Sequence, residues 1–304
     1  MQQRKSLGAL VSNGANSGLA QLPAYANVAL VAFAQPSCSY GGNLNLAGTG
    51  LSFSYDGSTL KQAIDALRQR NPTTKVMLAV GGATYTDWSA LNARAIANLV
   101  NDFGFDGVDI DYEPSNPNCQ RMGGTVRCGS DANFISVIDQ LRGALPQGQK
   151  LISIAAWSVG AYGTGKFYNA QPIAADTGLL VNPLAARGNK IDLLNVMSYD
   201  ASNAYDPVVA LTAYRAIYSG QINMGVEVPP EAWGGHVYTV DAIKRLGKAV
   251  MSDSKAGMML WSVQKQTNQA TSPSYPSANL AATTICQILG LPSCSQPINP
   301  FASS

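Results

Sequence analysis

The stretch FDGVDIDYEP, residues 105–114, sets Asp109, Asp111 and Glu113 at alternate positions, with Ile110 and Tyr112 between them. With Asp106, four of the chain's 18 acidic residues fall within eight positions, where an even scatter would leave about half a residue. Alternation with strand-forming spacers reads as a β-strand. Side chains two apart on a strand share a face, about 6.8 Å from one to the next. Asp106 has the opposite parity and is expected to be a structural partner. Carboxylates in such a row repel one another, which raises the pKa of at least one. A carboxyl group that keeps its proton near neutral pH at a pocket mouth is a general acid. Asp-x-Asp spacing also occurs in Ca²⁺ and Mg²⁺ sites, although those are usually loops with a glycine at the sharp turn. A structural polar network is the third reading, and spacing alone leaves all three open.

The elements that must position this row can be read along the chain. Strand-like runs fall at 6–12, 27–34, 75–82, 105–113, 150–157, 191–200, 221–228 and 257–263. Between them lie amphipathic stretches such as STLKQAIDALRQR, where Leu60, Ile64 and Leu67 recur at helical spacing. Eight nearly continuous apolar strands with helical crossovers predict an α/β fold, a single (β/α)₈ TIM barrel over residues 1–304. The segment after the seventh strand is too short for an extra α+β insertion. An open doubly wound sheet would want a glycine-rich phosphate loop after the first strand, and SNGANSGLAQL is a poor one. In a barrel, chemistry is built at the C-terminal strand ends, and Glu113 stands at such an end, before Pro114.

Composition narrows the partners. Charged residues are 12% of the chain, against roughly 25% in an average protein, and the net charge is only +2. With no basic cluster, nucleic acid and anionic membranes are not expected partners. No apolar run reaches the ~20 residues of a membrane span. The cysteine spacing suggests two local disulfides, Cys119–Cys128 and Cys286–Cys294, with Cys38 left free, and an oxidising, extracellular compartment. Reduced, buried thiols are the alternative. No C-x-x-C occurs and His236 is the single histidine, so no metal site is expected.

The motif DGVDIDYE at 106–113 resembles the D-x-x-D-x-D-x-E signature of the family 18 glycoside hydrolases, the chitinase family. AVGG at 79–82 resembles that family's S-x-G-G, MSYD at 197–200 its M-x-Y-D, and Trp261 in MLWS its strand-eight indole. The resemblance implies a secreted chitinase catalytic domain cut from a longer precursor, with no signal peptide in this sequence. It would act on chitin or N-acetylglucosamine oligosaccharides as a monomer, with no cofactor. Glu113 would be the acid, Asp111 would hold the substrate's acetamido N–H, Asp109 would share a proton with Asp111, and Tyr199 would hydrogen-bond the acetamido oxygen. Asp200 and Met197 would shape the same subsite, and Trp261 and Phe33 would lie against the reacting sugar. Gly81, Gly82, Tyr112 and Trp157 complete the expected substrate-binding set, the glycines by letting a strand turn sharply and a ligand approach closely.

One position departs from the family pattern: Ala79 stands where the family has serine, so a hydroxyl beside Asp109 is missing. Ser12 or a water could replace it. An endo-β-N-acetylglucosaminidase acting on N-glycans, or a lectin on the same barrel, are the alternative functions. Trp88 reads as helix packing. Tyr85 and Trp233 either line the groove or pack beside it. Glu227 either binds a sugar hydroxyl or forms an ion pair, and His236 reads as structural.

Overall fold

The computed structural model describes residues 14–233 and 237–298. The strand expected at 6–12, Ser12 and His236 lie outside them. The other seven expected strands are all present. Contacts group the described residues into two compact units, one of residues 14–113 with 139–152 and 292–298, the other of residues 114–138, 153–233 and 237–291.

In the first unit, β1 (Val28–Ala34), α1 (Gly57–Arg70), β2 (Lys75–Gly81), α2 (Ala93–Phe103) and β3 (Gly107–Asp111) follow in order. The strands run parallel, β1 beside β2 and β2 beside β3, with Met77 opposite Gly107 and Gly81 opposite Asp111. β2 is buried after its first residue and β3 throughout, as parallel strands covered on both faces should be. The helices start where the sequence offers a cap. Asp56 accepts the Thr59 N–H at 2.9 Å and opens α1, and Asn92 accepts the Ala95 N–H at 3.1 Å and opens α2. Such a cap contributes about 1 kcal/mol. α1 buries Leu60, Ala63, Ile64 and Leu67, the stripe that its periodicity predicts.

The second unit holds a hairpin of β4 (Cys119–Met122) and β5 (Thr125–Cys128), turned by Gly123 and Gly124 and closed by a Cys119–Cys128 disulfide. α3 (Asp131–Ala144) follows, though its residues from 139 on, and the first two of the next strand, fall in the first unit. Then come β6 (Leu151–Trp157), α4 (Val181–Arg187), β7 (Leu193–Met197), α5 (Pro207–Ile217), β8 (Gln221–Glu227), α6 (Val240–Met251), β9 (Ala256–Trp261) and α7 (Ala278–Ile288). β6 to β9 pair in that order, all parallel. α6 packs against α7, β8 and β9. Residues 228–239 join β8 to α6, too few for an inserted domain. Cys286 and Cys294 are also disulfide-bonded, and Cys38 is a buried free thiol. Among the described residues no helix is long and apolar enough to cross a membrane.

Candidate active site

The acidic row is built at the end of β3. Asp109 and Asp111 are 2% and 5% exposed, and Glu113, two residues past the strand's last alternation, is half-buried. Burial pushes the Asp111 carboxyl well above the ordinary carboxylate range, and the charges of Glu113 and Asp109 push it further. A side-chain hydrogen bond with Glu113 acts in the same direction. A hydrogen bond between two carboxyl groups requires a proton between them, so Asp111 and Glu113 hold one jointly. Asp111 Oδ1 is buried with no hydrogen-bond partner among the described residues. It is an acceptor facing a missing donor, a costly state for a buried polar atom unless a ligand supplies the bond.

Backbone geometry from β2 brings the neighbouring strand close. Gly82 N–H donates to the Asp111 carbonyl at 2.9 Å. Gly81 has φ +102, and a Cβ there would stand 2.3 Å from the Asp111 carbonyl oxygen and 2.4 Å from Trp88 Cζ2. A Cβ on Gly82 would meet the Phe33 ring at 3.1 Å, so half-buried Phe33 lies over that glycine. Ala79 is buried and sits opposite Asp109 in register, where a serine would have placed its hydroxyl beside that carboxylate.

Residues of the opposite parity do structural work. Asp106 takes Arg68 at 2.9 Å, Lys75 at 3.5 Å and the Val76 N–H at 2.8 Å. Burial raises its pKa, but the Val76 N–H and the two cations outweigh that and hold the carboxylate below its ordinary range. Tyr112, expected at the substrate, is instead buried with its ring 5.4 Å from that of Trp88. Strand parity separates it from Asp111, and aromatic packing explains its position. Trp88 is buried, as the packing reading requires. Tyr85 donates its hydroxyl to the Gly50 carbonyl at 2.9 Å.

In the second unit, Trp157 pairs in register with Met197, and both are half-buried. Tyr199 is buried, and its ring lies so near Gly225 that a Cβ there would come within 2.9 Å of it. Asp200 turns the chain with φ +54. Its N–H donates to Glu231 Oε2 at 2.7 Å, and its Oδ1 accepts the Trp233 N–H at 2.8 Å. Glu227 is fully buried and ion-paired with Lys265, which also donates to the Pro230 carbonyl. The ion-pair reading of Glu227 therefore holds. Trp261 is half-buried opposite Glu227, and Trp233 is 70% exposed. Glu231 was not singled out by sequence. The available signal was an acid directly after Pro229–Pro230 in an otherwise apolar loop. Among the described residues no group of three His, Cys, Asp or Glu is arranged to hold a metal ion.

Residues 11–295 match the family model for glycosyl hydrolases family 18. Among curated proteins, the chain is 34% identical over 173 residues to a chitinase of Plasmodium falciparum, covering 53% of this chain and 44% of that protein. It is 28% identical over 167 residues to chitinase A1 of Niallia circulans, covering 49% and 21%. The matched part thus spans less than half the length of either relative. Among solved structures, a family 18 chitinase of Pseudoalteromonas aurantia matches with TM-score 0.58 and 24% identity, over 82% of this chain and 91% of that one. A family 18 chitinase of Chromobacterium violaceum matches with TM-score 0.61 and 16% identity, over 90% and 78%. A chitinase-like agglutinin of Robinia pseudoacacia gives 0.58 and 15%, over 93% and 99%. These likenesses establish the expected α/β fold, the (β/α)₈ barrel.

Proposed function

The chain belongs to glycosyl hydrolases family 18, and from that premise we propose that it hydrolyses β-1,4-linked N-acetylglucosamine polymers, chitin and its oligosaccharides, with retention at the anomeric carbon. The observation that carries the reading is Asp111: buried between two carboxyl groups, sharing a proton with Glu113, and with Oδ1 lacking a donor. An acetamido N–H is the donor it suits.

In the proposed reaction Glu113 gives its proton to the glycosidic oxygen as the bond from that oxygen to the anomeric carbon breaks. The substrate's own acetamido oxygen bonds to that carbon and forms an oxazolinium ion, the substrate-assisted exception to the two-carboxylate scheme. Asp111 holds the acetamido N–H and balances the positive charge, and Asp109 shares a second proton with Asp111 while Glu113 is without its own. Tyr199 hydrogen-bonds the acetamido oxygen, Asp200 and Met197 shape that subsite, and Trp261 offers an apolar face to the sugar. Water then adds to the anomeric carbon, giving its proton to Glu113 and reopening the ring.

The short link after β8 supports endo action, since it leaves the cleft without the wall that an insertion would build. The Cys119–Cys128 disulfide supports secretion into an oxidising compartment.

Product analysis on N-acetylglucosamine oligomers, native against Glu113→Gln, tests the reading. The expected result is a β-anomeric first product from the native chain and a loss of at least ~100-fold in the variant. A second reading, a lectin, is favoured by the likeness to the Robinia agglutinin. Tight binding without cleavage by the native chain would establish it in place of the first. Preferential release of N-glycans would instead make the chain an endo-β-N-acetylglucosaminidase.

A further inference from the structure

The end of β7 and the loop after β8 are joined by a two-way clasp. Asp200 sits at φ +54, a conformation that a residue with a Cβ adopts at a cost and holds only where its surroundings fix it. What fixes it here is Glu231, 6% exposed, whose Oε2 accepts the Asp200 N–H at 2.7 Å. In return, Asp200 Oδ1 accepts the N–H of Trp233, two residues beyond Glu231, at 2.8 Å. The loop is tied down a second time by Lys265, which bridges Glu227 and the Pro230 carbonyl. Tyr199 immediately precedes that residue, so the setting of the Asp200 turn fixes the backbone at Tyr199, two residues past the end of β7.

We infer that Glu231 is a positioning residue of the proposed hydrolysis: by holding the Asp200 N–H it sets the turn that aims Tyr199, and through Asp200 it fixes the loop that presents the exposed Trp233 indole. The inference rests on the assignment of Tyr199 and Asp200 to the acetamido subsite. It requires a hydrogen-bond acceptor at position 231, not a negative charge. Burial is in keeping with this, because it pushes the Glu231 carboxyl up to about 8, with the Asp200 and Glu227 charges adding to the rise and the Asp200 N–H and Lys265 opposing it. The buried Tyr238 hydroxyl also lies within the field of Glu231. Near neutral pH the group is therefore uncharged. Above pH 8 it ionises, and repulsion from the Asp200 and Glu227 charges then works against the hold of the Asp200 N–H.

The test compares Glu231→Gln with Glu231→Leu in kcat, KM and pH profile on N-acetylglucosamine oligomers. Leucine leaves the Asp200 N–H without its acceptor, and kcat is expected to fall about tenfold or more, with a smaller change in KM. Glutamine keeps a carbonyl at the same place and is expected to restore most of that turnover and to lose less of it than the native chain between pH 7.5 and about 9. If Glu231→Leu fails to fold, the pH profile of Glu231→Gln decides alone, and an unchanged alkaline limb overturns the inference. Full turnover in a folded Glu231→Leu, or an equal loss in both variants, also overturns it while leaving the hydrolase reading intact. A native chain that cleaves no acetamido glycan overturns both.

Discussion

Replacing Gly81 by alanine should damage stability and chemistry together. The added Cβ would lie 2.3 Å from the Asp111 carbonyl oxygen and 2.4 Å from Trp88 Cζ2, at a backbone φ of +102. The backbone conformation alone costs a residue with a Cβ about 1–3 kcal/mol. Forcing a methyl group into occupied space costs about 1–3 kcal/mol more. The middle of the summed range is about 4 kcal/mol. At roughly 2 °C per kcal/mol, the low end for a large domain, this lowers the melting temperature by about 8 °C. One of the two colliding atoms is the main-chain oxygen of Asp111, so relaxation moves the acidic row itself. A shift of about 1 Å there should cost about 100-fold in turnover. Thermal melting followed by circular dichroism, with initial rates on oligomers well below the transition, measures both. Gly123→Ala is the control. That glycine turns the hairpin at φ +59 with nothing within 4 Å of the added Cβ, so it incurs only the backbone cost. A Gly81→Ala protein that melts within about 1 °C of native and turns over within about twofold would refute the reasoning, because neither the clash nor the displacement would then exist.

Two further outcomes follow from other parts of the structure. Asp111→Asn should abolish most turnover yet stabilise the fold toward neutral pH. The raised folded pKa means that the native group contributes fully below about pH 4 and loses that contribution as pH rises through its folded value. Asparagine has no such loss, so urea midpoints of variant and native should diverge from pH 4 to pH 7. Replacing Cys119 and Cys128 by serine opens a loop of sequence separation 9, which should cost about 2.5 kcal/mol by chain entropy. The double variant should melt several degrees lower, and identical melting curves would show that the hairpin is held by other contacts.

Much of the site could be read in the sequence because a strand has a period of two. Parity alone separated Asp106 from the row of Asp109, Asp111 and Glu113, and the ion pairs of Asp106 with Arg68 and Lys75 agree with that. The same parity argument, carried one residue further, would have sent Tyr112 to the packed side with Trp88. The β4–β5 hairpin leaves little alternation to read because its strands are only four residues long, although Gly123–Gly124 between Arg121-Met122 and Thr125-Val126 is a two-residue hairpin turn. The 105–113 run shortened to Gly107–Asp111 because the Phe105 N–H is taken by the Val100 carbonyl at the end of α2, and Pro114 has no N–H to continue the ladder. Glu231 left no periodic trace at all. Its role depends on a contact with Asp200, 31 positions away, and on one left-handed backbone angle, neither of which a local pattern carries.

β3 is only five residues long, and its two flanks have separate obligations. Asp106, just before it, ties the strand to Arg68 at the end of α1 and to Lys75 and Val76 at the start of β2. The Asp111 and Glu113 carboxyl groups, at the other flank, are no part of that ion-paired anchor, and the elevated pKa of Asp111 works against folding at neutral pH. Inheritance at the two flanks is therefore uncoupled. A descendant could exchange Glu113 and become a silent binder of its former substrate without weakening the barrel. A descendant that lost Asp106 would keep every group needed for the reaction but lose the anchor that holds them in place.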